Sequence, residues 1–537
     1  MSAPLDLLEK LRSNGFLTAG ATVGTVVAVY AASRLFKQSA SLGHSLPGPP
    51  GKFLLGNMMD LPQPGQKEWM VYGALADKYG PVIGLNVMGT YIVVLDRAED
   101  VKQLFAIRNT IYSNKPRMTM VEMVGWDVAV GLVQPGEKFR AERRLMNKMM
   151  GSQTVHNILT VHREGVPDLV RRLTVREGDF SKGLSGSIAH IFLRILWGYR
   201  PHGDNDALVK LANDAVDIFF KTHDNWLVNI LPSLKHVPEW FPGAQFKRTA
   251  REWKDVIHRT LTYPLGWVEE QIRLGKAEPS FARDYMALVA SSEEERTMFR
   301  EILGSLYAAG TDTMSNTVHW LLVALALHPD IQKRAQEEVD KITQNGHRLP
   351  TYEDRPKMPY VSAIVSESYR WMPALNLALP HILTQDDEYN GYHIPKGALC
   401  WANTWRILHN PQKYPEPSRF NPERYLTRDV QDKDGYSINP ELINENPFHY
   451  AFGYGLRICP GRHLADATVF LTAATVLATC NVSNPVDKDG KPLTLETIDQ
   501  SPGLIAISNV KGLTVDFRSA HADALIAGAQ AAKEVKH

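Results

Sequence analysis

The ten residues Phe452-Gly453-Tyr454-Gly455-Leu456-Arg457-Ile458-Cys459-Pro460-Gly461 constrain this chain more than any other stretch. They form a glycine-laced loop that runs into the apolar helical stretch Leu464 to Ala478. Glycines at 455 and 461 let backbone approach a flat macrocycle and turn amides toward a sulfur, and the helix N-terminus that follows favours an anion. The pattern suits Cys459 as an axial thiolate, with Arg457 placed to pair with a carboxylate of the macrocycle. A lone cysteine is more often a packed, inert side chain. Five fixed positions (Phe452, Gly455, Arg457, Cys459 and Gly461) coincide by chance in a chain of this length on the order of once in several thousand, which makes that reading weak.

This loop resembles the haem-binding signature of the cytochrome P-450 family, and segments similar to that family's other motifs precede it in order. Glu367-Ser368-Tyr369-Arg370 resembles the Glu-x-x-Arg helix, whose i, i+3 spacing sets both charges on one face. Phe420-Asn421-Pro422-Glu423-Arg424-Tyr425 is similar to the segment that adds Arg424 to the pair, a network with a scaffolding role. Ala309-Gly310-Thr311-Asp312-Thr313 resembles the oxygen-binding segment. There the resemblance implies that Gly310 opens space for dioxygen and loosens the helix, while Asp312 and Thr313 relay protons. Met314 departs from the Thr or Ser of many members. Phe139-Arg140-Ala141-Glu142-Arg143-Arg144 is similar to the Trp-x-x-x-Arg helix, with Phe139 in place of tryptophan. Phe139 and Arg143 are expected at the haem edge and a propionate, and His381 resembles the other propionate partner, with a surface histidine as the alternative.

The resemblance implies a mainly α fold with small β-sheets and one large catalytic domain behind an N-terminal transmembrane helix. It also implies haem b held by the Cys459 thiolate, which leaves iron's sixth position open to O2. No flavin or nicotinamide motif is visible in the sequence, so electrons are expected from a separate membrane protein, an NADPH-cytochrome P-450 reductase. The exposed stripe Arg140, Arg144 and Lys148 would suit its acidic surface. Two other functions fit a haem-thiolate loop: an isomerase or dehydratase that needs no reductase, and a non-catalytic haem sensor. The pair Asp312-Thr313 argues against the first.

Residues 1–12 precede an uncharged stretch, Ser13 to Ser33, whose length matches the ~30 Å hydrocarbon core of a bilayer. It reads as a single membrane anchor, with a cleaved signal peptide or a buried helix as the alternatives; by the resemblance the anchor is expected in the endoplasmic reticulum with the catalytic domain on the cytosolic face. In that orientation the sequon Asn481-Val482-Ser483 escapes glycosylation. Residues 34–51 form a hinge stiffened by Leu46-Pro47-Gly48-Pro49-Pro50-Gly51. Residues 52–518 contain no internal boundary or repeat, and 519–537 read as a frayed terminal helix. Within the domain, helix is expected from Met298 to Leu327, stopped at His328-Pro329, and strands around Gly80 to Leu95 and Asp386 to Ile394. The 59 basic and 58 acidic residues leave no global field to favour nucleic acid. Cys400, Cys459 and Cys480 are too few for a disulfide framework, and the first and last read as ordinary packed cysteines.

Pocket walls are expected from Met118 to Val133, Phe219 to Phe241, Tyr307 and Ala308, Ala374 to Leu379, and Pro502 to Ile505. These are rich in apolar and aromatic side chains, which suggests a lipophilic substrate such as a terpenoid, sterol or polyketide.

Overall fold

The computed structural model describes residues 44–174, 180–203, 205–223, 226–289, 292–428, 436–438 and 446–534, and within them the chain is mainly helical with small sheets. The expected anchor, Ser13 to Ser33, lies outside the described residues, and no described helix is long and apolar enough to cross a membrane.

Strand β1 (His44–Ser45) opens the described chain and pairs in parallel with β6 (Tyr392–Ile394), which is antiparallel to β5 (Asp387–Tyr389). A four-stranded sheet is ordered β2 (Val82–Val87), β3 (Thr90–Leu95), β7 (Leu399–Ala402) and β4 (His381–Ile382). The described part of the expected hinge is therefore docked on the sheets. His44 and Ser45 are in register with Tyr392 and His393. A Cβ on Gly48 would stand 2.2 Å from the Gly84 carbonyl oxygen, so only glycine lets this segment lie against β2. Two further antiparallel pairs are β8 (Leu426–Arg428) with β9 (Tyr436–Ile438), and β10 (Cys480–Val486) with β11 (Gly512–Phe517).

The helices used below are, in chain order, α1 (Thr119–Val124), α2 (Glu137–Met150), α3 (Leu159–Thr174), α4 (Phe180–Trp197), α5 (Ala207–Thr222), α6 (Gln245–Arg273), α7 (Glu293–Leu327), α8 (Pro329–Ile342), α9 (Pro359–Trp371), α10 (Arg462–Thr479) and α11 (Ala520–Glu534). Helix α7 starts where Ser292 Oγ accepts from the Glu295 amide, and Glu293, Glu294 and Glu295 complement the positive end of its dipole. It stops at His328, forced out of the helical region by Pro329, which in turn begins α8. Between these ends α7 is buried from Met314 to Leu325 and packs against α4, α9 and α10 in the main core. Helix α10 is buried from Ala467 to Thr479, and its Thr468 and Thr479 hydroxyls donate to the carbonyls of Leu464 and Thr475.

The C-terminal stretch differs from its expected fraying. It is helix α11, with Ala522 and Ile526 buried, Asp523 paired with Arg171 at 2.6 Å, and Gln530 donating to Asp168 at 3.0 Å. An alanine-rich composition hides an apolar face on which Ala522 and Ile526 are buried. Burying an isoleucine side chain is worth about 1.5–3 kcal/mol.

Candidate active site

The cysteine loop is tied at both ends. The Cys459 amide donates to the Phe452 carbonyl at 2.7 Å, and Arg462 Nη1 donates to the Cys459 carbonyl at 3.1 Å. The Phe452 ring packs edge-on to Tyr369 of α9, 5.2 Å between centroids, which fixes the loop to the core. Gly455 has φ +54°, and a Cβ there would stand 2.0 Å from the Phe105 carbonyl oxygen. Its freedom is thus used for close approach to backbone at Phe105 and Ala106 rather than to a macrocycle. Gly461 sits with an added Cβ 3.9 Å from Cys459 Sγ, and its amide donates to that sulfur. Burial pushes the Cys459 thiol up, opposed by the Gly461 amide and by Arg143 and Arg462. A metal cation on the sulfur would reverse the balance and hold it as thiolate.

Beside the loop, cationic side chains gather with little acid to match. Arg457 lies over the Phe139 ring, 4.4 Å from its centroid, and donates through Nε to Ser113 O and through Nη2 to Val133 O, both at 2.7 Å. Its Nη1 is buried with no acceptor, and burial together with Arg143 lowers its pKa to about 10. His381 is buried rather than superficial. It stacks on Phe105 at 4.1 Å and donates from Nδ1 to Tyr112 O at 2.6 Å. Burial and Lys115 hold its pKa well below the usual range, so Nε2 carries a proton only when an anion is near. Arg143 Nη2 donates to Leu456 O at 2.9 Å and to Ile458 O. Its direct link is to the cysteine loop, where the sequence suggested the edge of the cofactor.

Lys115 is the member that motif reading missed. It is buried, donates to Leu379 O at 2.9 Å and Pro380 O at 3.1 Å, and is held well below its usual pKa by burial and by Arg457. No sequence signal marked it, because its place here comes from burial beside Arg457. Glu142, the acid that bears on Arg457 and Arg143, is itself buried, and burial raises it to about 7. The buried Lys115 and His381 and an unmatched Arg457 Nη1, next to a half-buried cysteine, fit a group that brings two carboxylates and a metal. Haem b is such a group: Cys459 would hold its iron, and Arg457, Lys115 and His381 would meet its propionates.

On α7, Thr313 Oγ1 donates to Ala309 O at 2.7 Å. Asp312 is raised to about 6, first by burial and then by Asp217 of α5. At Gly310 a Cβ would stand 2.2 Å from the Phe192 ring, so the missing side chain lets α4 approach, and α7 runs unbroken through 310. Met314 is buried in the main core, so this departure from the family pattern leaves Asp312 and Thr313 where they are.

Glu367 and Arg370 have no exposure to solvent and form two hydrogen bonds of 2.8 Å. Arg424 Nε at 3.2 Å, the Tyr425 hydroxyl at 3.0 Å and the Asn421 amide at 2.8 Å complete the carboxylate's partners. Arg370 spends its remaining donors on the carbonyls of Leu408, Pro417 and Arg419. The network thus clamps α9 to the 408–425 segment, and α9 in turn carries Tyr369 under Phe452.

Of the expected pocket walls, Met120, Val124 and Trp126 gather with Ile218, Phe219, Val228 and Ala308 in one apolar cluster that also takes Ile257 of α6. A Cβ on Gly131 would stand 3.9 Å from Leu379, which joins the 374–379 segment to the same wall. Residues 502–505 are not part of this cluster.

A family model for cytochrome P-450 matches residues 46–505. Similar proteins include cytochrome P-450 monooxygenase COX2 of Coprinopsis cinerea, 37% identical over 458 residues, 84% of this chain and 85% of the relative. Cytochrome P-450 monooxygenase 208 of Postia placenta is 34% identical over 522 residues, 96% of this chain and 98% of the relative. Tryptamine 4-monooxygenase of Psilocybe cyanescens is 34% identical over 457 residues, 83% and 88% of the two chains.

Proposed function

This chain belongs to the cytochrome P-450 family, and from that premise we propose that it hydroxylates or otherwise oxidises a lipophilic small molecule of secondary metabolism, with Cys459 as iron ligand. Members are oxygen-incorporating oxidoreductases that use haem b with a cysteine thiolate. When bound, haem b activates dioxygen and delivers one of its atoms to the substrate. The protein's share is positional. Arg457, Lys115 and His381 neutralise the propionates, and the Gly461 amide stabilises negative charge on the Cys459 sulfur. Thr313 and Asp312 hold and move protons on the distal side. Asp312, poised near 6, can both accept and release a proton close to neutral pH.

The substrate reading rests on the apolar wall around Ala308, where Trp126 and Phe219 meet edge-on at 6.0 Å. Such a wall suits a terpenoid, sterol or polyketide, and equally an aromatic ring of the kind named in the tryptamine-oxidising relative. Electrons come from an NADPH-cytochrome P-450 reductase, docked on Arg140, Arg144 and Lys148. All three are exposed on α2, the helix from which Arg143 reaches the cysteine loop. The chain is anchored in the endoplasmic reticulum membrane by Ser13 to Ser33, with its catalytic domain in the cytosol. Supporting membrane contact, Phe53, Leu54, Leu55, Met58 and Met59 are exposed close together in sequence, as are Trp240 and Phe241.

The observation that carries the reading is the half-buried Cys459, tied into its loop, beside an Arg457 whose buried Nη1 has no acceptor. The test is the difference spectrum of the reduced, carbon monoxide-treated protein against Cys459→Ser. A strongly red-shifted Soret band lost in the variant is expected; a band that survives the substitution rules Cys459 out as ligand.

A further inference from the structure

Helices α3, α4 and α11 enclose a cavity of about 260 Å³ that the proposed activity does not use. Arg171 and Arg172 of α3, Arg194 of α4, Arg200 just beyond it and Gln530 of α11 line it. The face of α4 turned into it carries Ser187, Ile191 and Arg194, at helical spacing, while Phe192 points instead to Gly310 of α7.

Among the described residues, the acids that pair with Arg171, Arg194 and Arg200 stand behind the wall rather than in it. Glu164 accepts from Arg194 at 2.5 Å and from Arg200 at 3.2 Å. Glu278 accepts from Arg200 at 2.5 Å, and Asp523 accepts from Arg171 at 2.6 Å. None of the three lines the cavity. Asp168 does, and its carboxylate accepts from the Gln530 amide. Arg172 meets His190 Nδ1 at 3.2 Å.

Arg194 is the decisive residue. Its side chain is 8% exposed, and Nη2 alone has a protein acceptor. Nε and Nη1 are buried with no acceptor. A guanidinium buried with two idle donors is unfavourable and calls for an oxygen-rich anion. The donors come from three separate elements, so a tetrahedral group with several charged oxygens fits them better than a planar carboxylate. The volume leaves room for such a group and a few carbons.

We propose that this cavity is a second binding site and that it takes a phosphate group, borne by a small soluble molecule or by a lipid headgroup. Occupancy would clamp α11 to the body through Gln530, beyond the matched residues 46–505, so its effect is on stability and docking of the C-terminal helix.

The full-length haem-loaded protein would be titrated calorimetrically with inorganic phosphate at constant ionic strength, and in a second arm with phosphatidic acid vesicles against phosphatidylcholine vesicles. Saturable one-to-one binding of phosphate is expected, about tenfold weaker in Arg194→Gln, the scale of one charge-assisted hydrogen bond. Gln530→Glu, on the half-buried edge, should weaken it comparably and carries the test if Arg194→Gln fails to fold. Binding confined to phosphatidic acid vesicles and lost in these variants supports the site with a lipid headgroup as its ligand. Absence of saturable binding in both arms, or binding unchanged in the variants that fold, overturns the proposal.

Discussion

The Arg457 guanidinium carbon lies over Phe139, 4.4 Å from its ring centroid, so the aromatic residue of α2 positions the arginine of the cysteine loop. Stacking and hydrogen bonds to Ser113 and Val133 leave Nη1 aimed at an acceptor the protein does not supply. Replacing Arg457 by Leu is therefore expected to reduce haem content severalfold, read from the ratio of Soret to protein absorbance. Phe139→Ala removes a buried ring at a cost of about 3–5 kcal/mol and frees the guanidinium. Its haem content should fall along with its unfolding midpoint, whereas Phe139→Trp should keep both. Unchanged haem content in Arg457→Leu would contradict its role.

The fully buried Glu367–Arg370 pair predicts that altering either partner is costly. Glu367→Gln leaves Arg370 and Arg424 as buried cations without a counter-charge, at a cost of about 3–5 kcal/mol. Arg370→Lys keeps the charge but cannot reproduce the two hydrogen bonds to Glu367 and the three to carbonyls. Both should fold poorly and lose haem, and denaturant unfolding measures by how much. A Glu367→Gln protein with wild-type stability would mean the network is not needed to hold α9 to the 408–425 segment.

Asp312 links the distal side to pH. Its folded pKa, about 6, is raised above the ordinary 3.8 by burial and by Asp217. The folded state therefore favours the protonated acid. That advantage is fully present below pH 3.8 and is lost as pH rises through 6. Asp312→Asn, which has nothing to ionise, should lack this component. Between pH 4 and 7 the stability of the parent should fall relative to the variant. Thermal unfolding across that range measures the difference, and parallel curves would exclude the raised pKa. Removing Asp217 as Asn should move the midpoint of the pH effect downward.

Much of this architecture was legible because its signals are short and local. Pro329 marks the end of α7, and the Glu367-x-x-Arg370 spacing forecasts a pair that the structure closes with Arg424. What escaped depended on partners distant in sequence. Gly455 looked like room for a macrocycle, but the atom it avoids belongs to Phe105, some 350 residues away. Lys115 belongs to no motif, and its importance comes from burial beside Arg457. Alanine-rich α11 read as frayed because the residues that hold it, Arg171 and Asp168, lie about 350 residues away, and Leu46-Pro47 read as a stiff hinge without the contact in which the Pro47 carbonyl accepts from Gly84.

Gly310 supplies the sharpest test of such a distant partner. If its missing side chain made room for dioxygen, Gly310→Ala would impair oxygen use while leaving the fold intact. The structure gives the opposite order. A methyl group at 310 would stand 2.2 Å from the Phe192 ring, and overpacking of this kind costs about 1–3 kcal/mol. The loss should appear first as a lowered unfolding midpoint and should be relieved in Gly310→Ala/Phe192→Leu, where the smaller partner yields the space. A double-mutant cycle on stability separates the two readings. A coupling on the order of 1 kcal/mol or more between positions 310 and 192 is expected for packed neighbours. Additive effects, with reduced turnover unrescued by Phe192→Leu, would return Gly310 to the dioxygen side of the helix.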